Sequence, residues 1–357
     1  MSAPVFATIV PGIPHPLQCP DSNEGWGRLR SAFDEARQAM LDSGAERLLI
    51  YSTMWPSVIG HQIQARAVSE WVHVDELFHD LGSIPYRFEM DPELAHALRD
   101  AAEARGLEAR TVDYHGFPID TGSVVALKLL NPNNELPACI VSSNVYADRL
   151  ETTVLGKAAR DAIEAVGKKT AVCVVATLSN RLFTDFIDPK DDRVHSLKDD
   201  EWNRKLLEFL DDGRLEDVAQ LSRNIHDQVR VKKVVNYKPM WWLSAVMGQH
   251  NNYQGDVLAY EALYGTGAAV VTLTPSEGGM GAKEYDEDDV EFFRGDRGVL
   301  SGQGTPTPAP TEGQADTPSV TPRVAAADDD GAVRTQAAPA PVGAYPHARK
   351  EGDLLYL

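Results

Sequence analysis

Four short apolar runs punctuate the first three hundred residues of the chain. They lie at residues 5–10, 47–51, 137–142 and 170–177, and Pro, Gly or polar residues bound each run. An unbroken apolar run of this length is typical of a strand that is buried on both faces of a parallel sheet. The pattern therefore predicts a sheet that is covered on both sides.

Helical periodicity fills the intervals between these runs. Trp26, Leu29, Phe33, Ala36 and Met40 fall on one helical face. Further helices are predicted from an N-cap at residue 91, over 153–166 and within 199–250, and a strand pair at 257–263 and 268–273 follows. Strands that alternate with helices predict an α/β fold, here a single domain with a mostly parallel central sheet covered by helices.

The composition changes close to residue 300. The segment 301–357 contains eight of the 22 prolines and repeats short Ala-, Thr- and Asp-rich motifs. Such a segment has too few large apolar side chains to offset the entropy lost on ordering. We therefore predict a folded domain over residues 1–298 and a disordered Pro/Ala/acidic tail over 299–357.

The charge balance narrows the class of partner. The chain has 53 Asp and Glu against 34 Lys and Arg, a net charge of -19. This excess opposes binding to nucleic acid or to an anionic membrane, and no apolar run is long enough to span a bilayer. The first residues lack the basic region of a signal peptide, and the three cysteines form no CxxC pair. These features predict a cytoplasmic protein with no nucleic-acid or membrane partner.

Candidate chemistry lies where the predicted strands end, because ligands of open α/β sheets bind outside the carboxyl ends of the strands. His15, His61 and Asp120 occupy such segments and would suit Fe(II), Zn or Mn as a ligand trio, with His115 as a substitute for Asp120. The alternatives are a hydrogen-bonded turn residue for His15, a helix-surface residue for His61 and an N-cap for Asp120. Arg181 is a further candidate for the cleft, able to pair with a substrate carboxylate.

Several segments, taken in order, resemble one enzyme family. They are VPGIPHP, YSTMWPSVIGH, VLGKAARDAIEAVGKK, ATLSNRLF and WWLSAVM. Together they resemble the class III extradiol dioxygenases, specifically the two-subunit 2-aminophenol 1,6-dioxygenase group. The resemblance implies a single α/β fold in which Fe(II), held by two His and one Glu, binds an aromatic diol or aminophenol beside O₂. It also implies a further His that acts as acid and base during ring opening.

The residues at the corresponding positions depart from the family pattern. By this resemblance the two His ligands fall on Gly12 and Met54, the acid/base His on Asn180, and the Glu ligand near Val234. Gly and Val offer no side-chain donor, and a Met thioether suits Cu(I) better than Fe(II). The resemblance therefore implies that this chain has no iron site of the family type.

The same family implies an explanation. Its aminophenol enzymes resemble heteromers in which a β-type chain keeps the iron and a homologous α-type chain has lost it. Our leading hypothesis is an α-type, metal-free subunit that supports an iron-bearing β-type partner. Two alternatives stay open: an active Fe(II) enzyme with a relocated site at His15, His61 and Asp120, and a non-enzymatic protein that binds an aromatic molecule in the vacated cleft. The substrate, an aminophenol, a catechol or a carboxylated relative, stays open as well.

Overall fold

The computed structural model describes residues 4–225 and 237–277, together with three short strands nearer the C-terminus. Contacts within the chain divide it into two units, Met1–Thr305 and Pro306–Leu357. The predicted Glu-ligand position, Val234, lies outside the described residues.

The first unit is built from ten strands and eight α-helices in the part of the chain that is described. The strands are β1 (Pro4–Val10), β2 (Arg47–Ser57), β3 (His61–Gln64), β4 (Val68–Val74), β5 (Ser83–Glu89), β6 (Ala109–Val112), β7 (Ala138–Asn144), β8 (Thr170–Val175), β9 (Tyr253–Leu263) and β10 (Thr266–Pro275). The helices are α1 (His15–Gln18), α2 (Glu24–Asp42), α3 (Pro92–Ala104), α4 (Thr121–Leu130), α5 (Arg149–Val166), α6 (Leu197–Asp211), α7 (Leu215–Ile225) and α8 (Lys238–Met247).

Eight of these strands form one sheet, in the order β6-β3-β7-β2-β8-β1-β10-β9. The central strands β7, β2, β8 and β1 are mutually parallel. At the two flanks β3 runs antiparallel to β7, and β10 runs antiparallel to both β1 and β9. The α/β prediction is confirmed: the strands at the centre are parallel, and the sheet as a whole is mixed.

Helices cover both faces of the sheet, as the apolar runs predict. Side chains of β2 alternate between two core clusters: Leu49 and Tyr51 join one, whereas Leu48 and Ile50 join the other. The first cluster packs beneath α3, α5, α6, α7 and α8, and the second beneath α2 and α4. Because successive strand residues point to opposite faces, only a run without polar interruption can serve two cores at once.

Helix starts follow the predicted capping residues. The Asp91 carboxylate accepts a hydrogen bond from the Leu94 backbone N–H at 3.0 Å and begins α3. The Asp120 carboxylate accepts one from the Ser123 N–H at 3.0 Å and begins α4. Each carboxylate satisfies a backbone donor that would otherwise lack a partner inside the helix. None of the described helices combines the length and apolar character needed to cross a membrane.

Strands β3, β4, β5 and β6 and the short helix α1 are absent from the sequence-based prediction. Strands β4 and β5 form a separate two-stranded sheet, the β4–β5 ribbon. Its inner face carries buried Ile84, Tyr86 and Phe88 into the second core cluster.

In the tail, strands β11 (Ala332–Val333), β12 (Ala348–Glu351) and β13 (Leu354–Tyr356) form a small antiparallel sheet. The rest of the tail predicted to be disordered lies outside the described residues.

A buried ion pair joins the sheet to α3. Arg47, at the start of β2, is 1% exposed, and its guanidinium lies 3.0 Å from the Asp91 carboxylate that caps α3. The same guanidinium lies 3.2 Å from Glu93 at the surface, whose pKa is lowered chiefly by that hydrogen bond. Asp91 therefore holds the helix start and the strand start together.

Replacing Arg47 by Met should destabilise the fold strongly, because it leaves the Asp91 carboxylate buried without its counter-charge. The expected loss is about 3–5 kcal/mol in the free energy of unfolding, measured by urea denaturation. Arg110→Met is the matched control, since Arg110 pairs with Glu108 on the surface with both side chains about 60% exposed; its cost should stay below about 1 kcal/mol. Equal losses in the two variants would contradict the structural role of the buried pair.

Candidate functional site

The segments that leave β1, β2 and β8 meet around one small cavity. Its volume is about 110 Å³, and its lining includes Gly12, Thr53, Met54, Val175, Asn180 and Thr266. We call it the edge cavity, because it lies at the carboxyl edge of the parallel strands. The structure thus brings together the three described positions that the family resemblance assigns to metal binding and acid/base chemistry: Gly12, Met54 and Asn180.

Gly12 has no room for a side chain. A Cβ atom built on Gly12 would lie 2.6 Å from Met54 Sδ, 2.6 Å from Val175 Cγ1 and 2.7 Å from Gly122 Cα. A Cβ on Gly122 would likewise lie 2.6 Å from Val175 Cγ1 and 2.9 Å from Met54 Sδ. The loop after β1 and the start of α4 therefore pack backbone against backbone, and the Met54 thioether fills the space beside them.

Met54 is held in place by a short hydrogen-bond network. The Ser52 hydroxyl donates to the Asp120 carboxylate at 2.7 Å and accepts from the Met54 backbone N–H at 3.3 Å. The neighbouring Thr53 hydroxyl donates to the Val175 carbonyl oxygen at 2.8 Å. These bonds tie the end of β2 to α4 and to β8. Asp120 is thus the N-cap of α4 and the anchor of β2, which agrees with the capping alternative drawn from the sequence.

Asn180 lies on the loop that follows β8 and is buried. This loop is fixed against β10, because the Leu178 N–H donates to the Gly267 carbonyl and the Gly267 N–H donates to the Ser179 carbonyl. Arg181 is half-buried and does not line the edge cavity. The loop therefore presents an amide to the cavity at the position where the family resemblance places an imidazole.

His15 lies outside the edge cavity, among aromatic rings. Its ring centroid is 4.6 Å from that of Trp26, 4.5 Å from that of Phe78 and 5.3 Å from that of Tyr264. Burial lowers the pKa of His15 to about 4, although nearby carboxylates act in the opposite direction. The imidazole is consequently neutral at physiological pH.

His61 begins the buried strand β3 and does not lie on a helix surface. Its Nε2 is 3.0 Å from the Glu151 carboxylate, and this hydrogen bond is the main cause of a lowered pKa for Glu151. His115 is exposed and touches only the edge of the Trp71 ring, with centroids 6.4 Å apart, among its described ring contacts.

The alternative trio is therefore not assembled. His15, His61 and Asp120 each have separate partners, and within residues 4–225 and 237–277 no three His, Cys, Asp or Glu side chains are grouped so as to hold a metal ion. Among the described lining residues of the edge cavity, the side-chain donors are a thioether, an amide and the hydroxyls of three threonines, and Gly12 supplies none. That set does not fit Fe(II), which prefers imidazole and carboxylate.

Two features of this edge of the sheet were not predicted from the sequence. Lys238, at the start of α8, is buried and donates to the carbonyl oxygens of Asn144 and Val145 at the end of β7. A second cavity, of about 370 Å³, has His15 as one wall. The sequence indicated neither feature. Around Lys238 the residue pattern predicts only a Trp-rich helix. Phe78, which lines the second cavity, lies in a segment for which the sequence predicts no element.

Comparison with known proteins shows which protein family this chain is similar to. Residues 5–271 match the family described as the catalytic LigB subunit of aromatic ring-opening dioxygenase. A 2-aminophenol 1,6-dioxygenase alpha subunit from Pseudomonas sp. is 35% identical over 272 residues, which are 76% of this chain and 98% of that protein. The beta subunit of such an enzyme from Pseudomonas sp. is 28% identical over 290 residues, covering 76% of this chain and 94% of that one.

A solved structure shares the fold. The crystal structure of an uncharacterized protein from Escherichia coli covers 75% of this chain and 99% of its own, with a TM-score of 0.52 and 11% identity. That likeness concerns the fold alone. The sequence match covers nearly all of the described domain, and it confirms the family predicted from the ordered segments: the chain belongs to the LigB family of class III extradiol, aromatic ring-opening dioxygenases.

Proposed function

We propose that this chain is an α-type subunit of an extradiol dioxygenase. In this proposal it binds no iron itself and supports a homologous, iron-bearing β-type subunit, which cleaves an aminophenol or catechol ring with O₂. The observation that carries the proposal is the packing of Gly12, Gly122 and Met54, which involves two of the positions that the resemblance assigns to the family's metal ligands. Similarity to both the alpha and the beta subunit of a Pseudomonas enzyme supports a heteromer.

The size of the edge cavity argues against an aromatic substrate in this chain. An apolar cavity of about 150 Å³ is known to hold one benzene molecule. The edge cavity has about 110 Å³, and a ring-cleaving site must hold a substituted ring and O₂ together. The same comparison disfavours the alternative of an aromatic-binding protein that uses the vacated cleft.

The β4–β5 ribbon is the surface that we assign to the partner. Trp71, Val72 and Val74 are each about half exposed, and a groove of about 730 Å³ runs beside Trp71, Val72 and Pro85. Val72 and Val74 lie on one face of the ribbon, whereas Trp71 is paired with Tyr86 and lies on the other. Exposed apolar patches of this kind mark protein interfaces in soluble proteins. In the described residues β4 and β5 pair only with each other, so the outer backbone edge of β4 pairs with no described strand. On the outer edge of β5, the Asn134 side chain bonds the Arg87 carbonyl and the Glu89 N–H.

Charge favours a homologous partner at this ribbon. Two proteins as acidic as this chain, with its net charge of -19, repel each other over most of their surfaces. On the ribbon, Arg87 pairs with Glu70 at 3.6 Å and also with Glu89, so one positive charge offsets one of two negative charges and the two strands keep a net charge of -1. The apolar side chains of this ribbon, which carries little net charge, can therefore approach a second acidic chain at a low electrostatic cost.

The cellular location belongs to the same proposal. Cys139 and Cys173 are buried free thiols, and burial raises both thiol pKa values. Cys19 is likewise a free thiol. Unpaired cysteines suit a reducing compartment, and we assign the subunit to the cytoplasm.

Iron analysis tests directly whether the β-type chain, and not this one, binds the iron. The chain purified alone and treated anaerobically with Fe(II) should retain far less than one iron per chain after desalting, because none of the described residues that line the edge cavity carries an imidazole. Co-purified with a β-type homologue, it should yield one iron for each pair of chains, measured by plasma emission spectrometry. One tightly held iron per isolated chain would refute the metal-free assignment.

Substitution of His61 tests the relocated-site alternative. In a reconstituted complex His61→Gln should leave kcat and KM for ring cleavage unchanged, because His61 is bonded to Glu151 and lies away from the edge cavity. Assembly of the variant is verified by size exclusion before the assay. Loss of kcat in a fully assembled complex would instead support an active site built around His61.

Substitution on the ribbon tests the partner surface. Trp71→Asp combined with Val72→Asp should weaken association with the β-type chain at least tenfold, since it places two charges in a desolvated contact. Leu197→Asp is the control, because Leu197 is exposed at the start of α6 and lies outside the ribbon. Association is measured by analytical ultracentrifugation, and an unchanged dissociation constant for the ribbon variant would move the interface elsewhere.

A further inference from the structure

A second cavity in the domain is lined by aromatic rings. It has a volume of about 370 Å³, and His15, Trp26, Phe78, Phe186 and Tyr264 form much of its wall; we call it the aromatic pocket. It shares no lining residue with the edge cavity. Its volume is more than twice the roughly 150 Å³ that holds one benzene molecule.

The rings of the aromatic pocket form a fixed arrangement. His15 meets Phe78 nearly edge to face, at 82° between ring planes, and Phe78 meets Tyr264 at 75° with centroids 4.7 Å apart. Ring pairs prefer this T-shaped geometry, and the pocket offers both ring edges and ring faces to an aromatic guest. Phe186 lies at the rim and is largely exposed.

The Asp192 carboxylate fixes two of the residues that line the pocket, Trp26 and Tyr264. Asp192 accepts a hydrogen bond from the Trp26 indole N–H at 2.9 Å, and it also accepts the backbone N–H groups of Tyr264 at 2.7 Å and Gly265 at 3.0 Å. Tyr264 has a φ of 53°, a left-handed conformation that costs roughly 1–2 kcal/mol for a residue with a side chain. The anchored, strained turn keeps the Tyr264 ring in the pocket wall.

His15, which lines the pocket, carries an unsatisfied polar atom. His15 is 4% exposed, and its Nδ1 makes no hydrogen bond to any described residue. A buried polar atom left without a partner costs about 1–3 kcal/mol. Because burial keeps this imidazole neutral, it can pair with a hydroxyl or amino group of a ligand.

The charges around the pocket decide which ligands are excluded. Asp80 lines the cavity, and Asp75 and Asp192 also act on His15 electrostatically. No Lys or Arg is among the described lining residues. A carboxylated ring would therefore be repelled without any compensating cation.

We infer that the aromatic pocket binds a single-ring aromatic molecule that carries a hydroxyl or amino group and no negative charge. Phenols and anilines are the simplest members of this class. The site lies apart from the edge cavity, and the inference holds whether or not the chain joins a β-type partner. For ligands of this size the dissociation constant should be on the order of 0.1–1 mM.

Calorimetric titration of the full chain tests this inference. Phenol and aniline should bind, whereas benzoate should bind at least tenfold more weakly because of the surrounding carboxylates. Cyclohexanol, which has the hydroxyl but no aromatic ring, should also bind at least tenfold more weakly. Absence of phenol and aniline binding up to 10 times the expected range, about 10 mM, or equal binding of benzoate, would overturn the inference.

Two variants locate the ligand. Thr184→Trp adds a ring at the exposed mouth of the pocket and should weaken phenol binding at least tenfold without disturbing the core. His15→Phe should weaken phenol about tenfold and leave benzene unchanged, which separates the hydrogen bond from packing. Met54→Ala, in the edge cavity, is the matched control and should not alter phenol affinity. Phenol binding that responds to Met54→Ala and ignores Thr184→Trp would place the ligand in the edge cavity and overturn the assignment; if His15→Phe does not fold, the Thr184→Trp result decides alone.

Discussion

The close approach of two glycines determines how the carboxyl edge of the sheet is organised. A Cβ on Gly12 would meet Gly122 Cα at 2.7 Å, so the loop after β1 and the start of α4 can pack together only if neither residue has a side chain. The approach places Asp120, the cap of α4, within hydrogen-bonding distance of Ser52 on β2. Ser52 in turn orients the chain at Met54. The packing of α4, the path of β2 and the small size of the edge cavity therefore share one physical cause.

The two cavities depend on the same short loop. Gly12 and Ile13 line the edge cavity, and His15 lines the aromatic pocket. Pro11, Pro14 and Pro16 restrict the backbone between and around them, because each proline fixes its own φ. At the β9–β10 turn, Tyr264 likewise lines the aromatic pocket and Thr266 lines the edge cavity. The edge cavity can therefore be small while the aromatic pocket beside it is large, since a restricted loop separates the two.

Features determined by adjacent residues could be predicted from the sequence, and features determined by distant partners could not. The caps at Asp91 and Asp120 each depend on a backbone group three residues away, and both were predicted. Strand β3 reads HQIQ and becomes buried only through pairing with β6 and β7. Strand β4 is exposed on both faces at Trp71 and Val72 and shows no alternation that could predict it. Strand β5 does alternate, with Ile84, Tyr86 and Phe88 buried, so its sequence carried a strand signal that the prediction did not use.

The same distinction, between what nearby residues determine and what distant partners determine, applies to the candidate site. The convergence of Gly12, Met54 and Asn180 could be anticipated, because ends of parallel strands meet at one edge. The aromatic pocket could not, because His15, Trp26, Phe78 and Tyr264 come from segments far apart in the sequence with no shared pattern.

In the proposed α-type subunit, the residues at the edge cavity also explain how the fold persists with a glycine and a methionine at the positions assigned to metal ligands. Two buried imidazoles and a carboxylate with no ion between them would leave several polar atoms unsatisfied, at about 1–3 kcal/mol each. A glycine contact and a methionine side chain replace that cost with van der Waals packing, and the polarizable thioether adapts to an irregular gap. Replacing only one ligand would forfeit metal affinity and keep the remaining polar atoms buried. In the proposed α-type chain, a glycine at position 12 and a methionine at position 54 therefore depend on each other, and the close approach of Met54 Sδ to Gly12 agrees with that dependence.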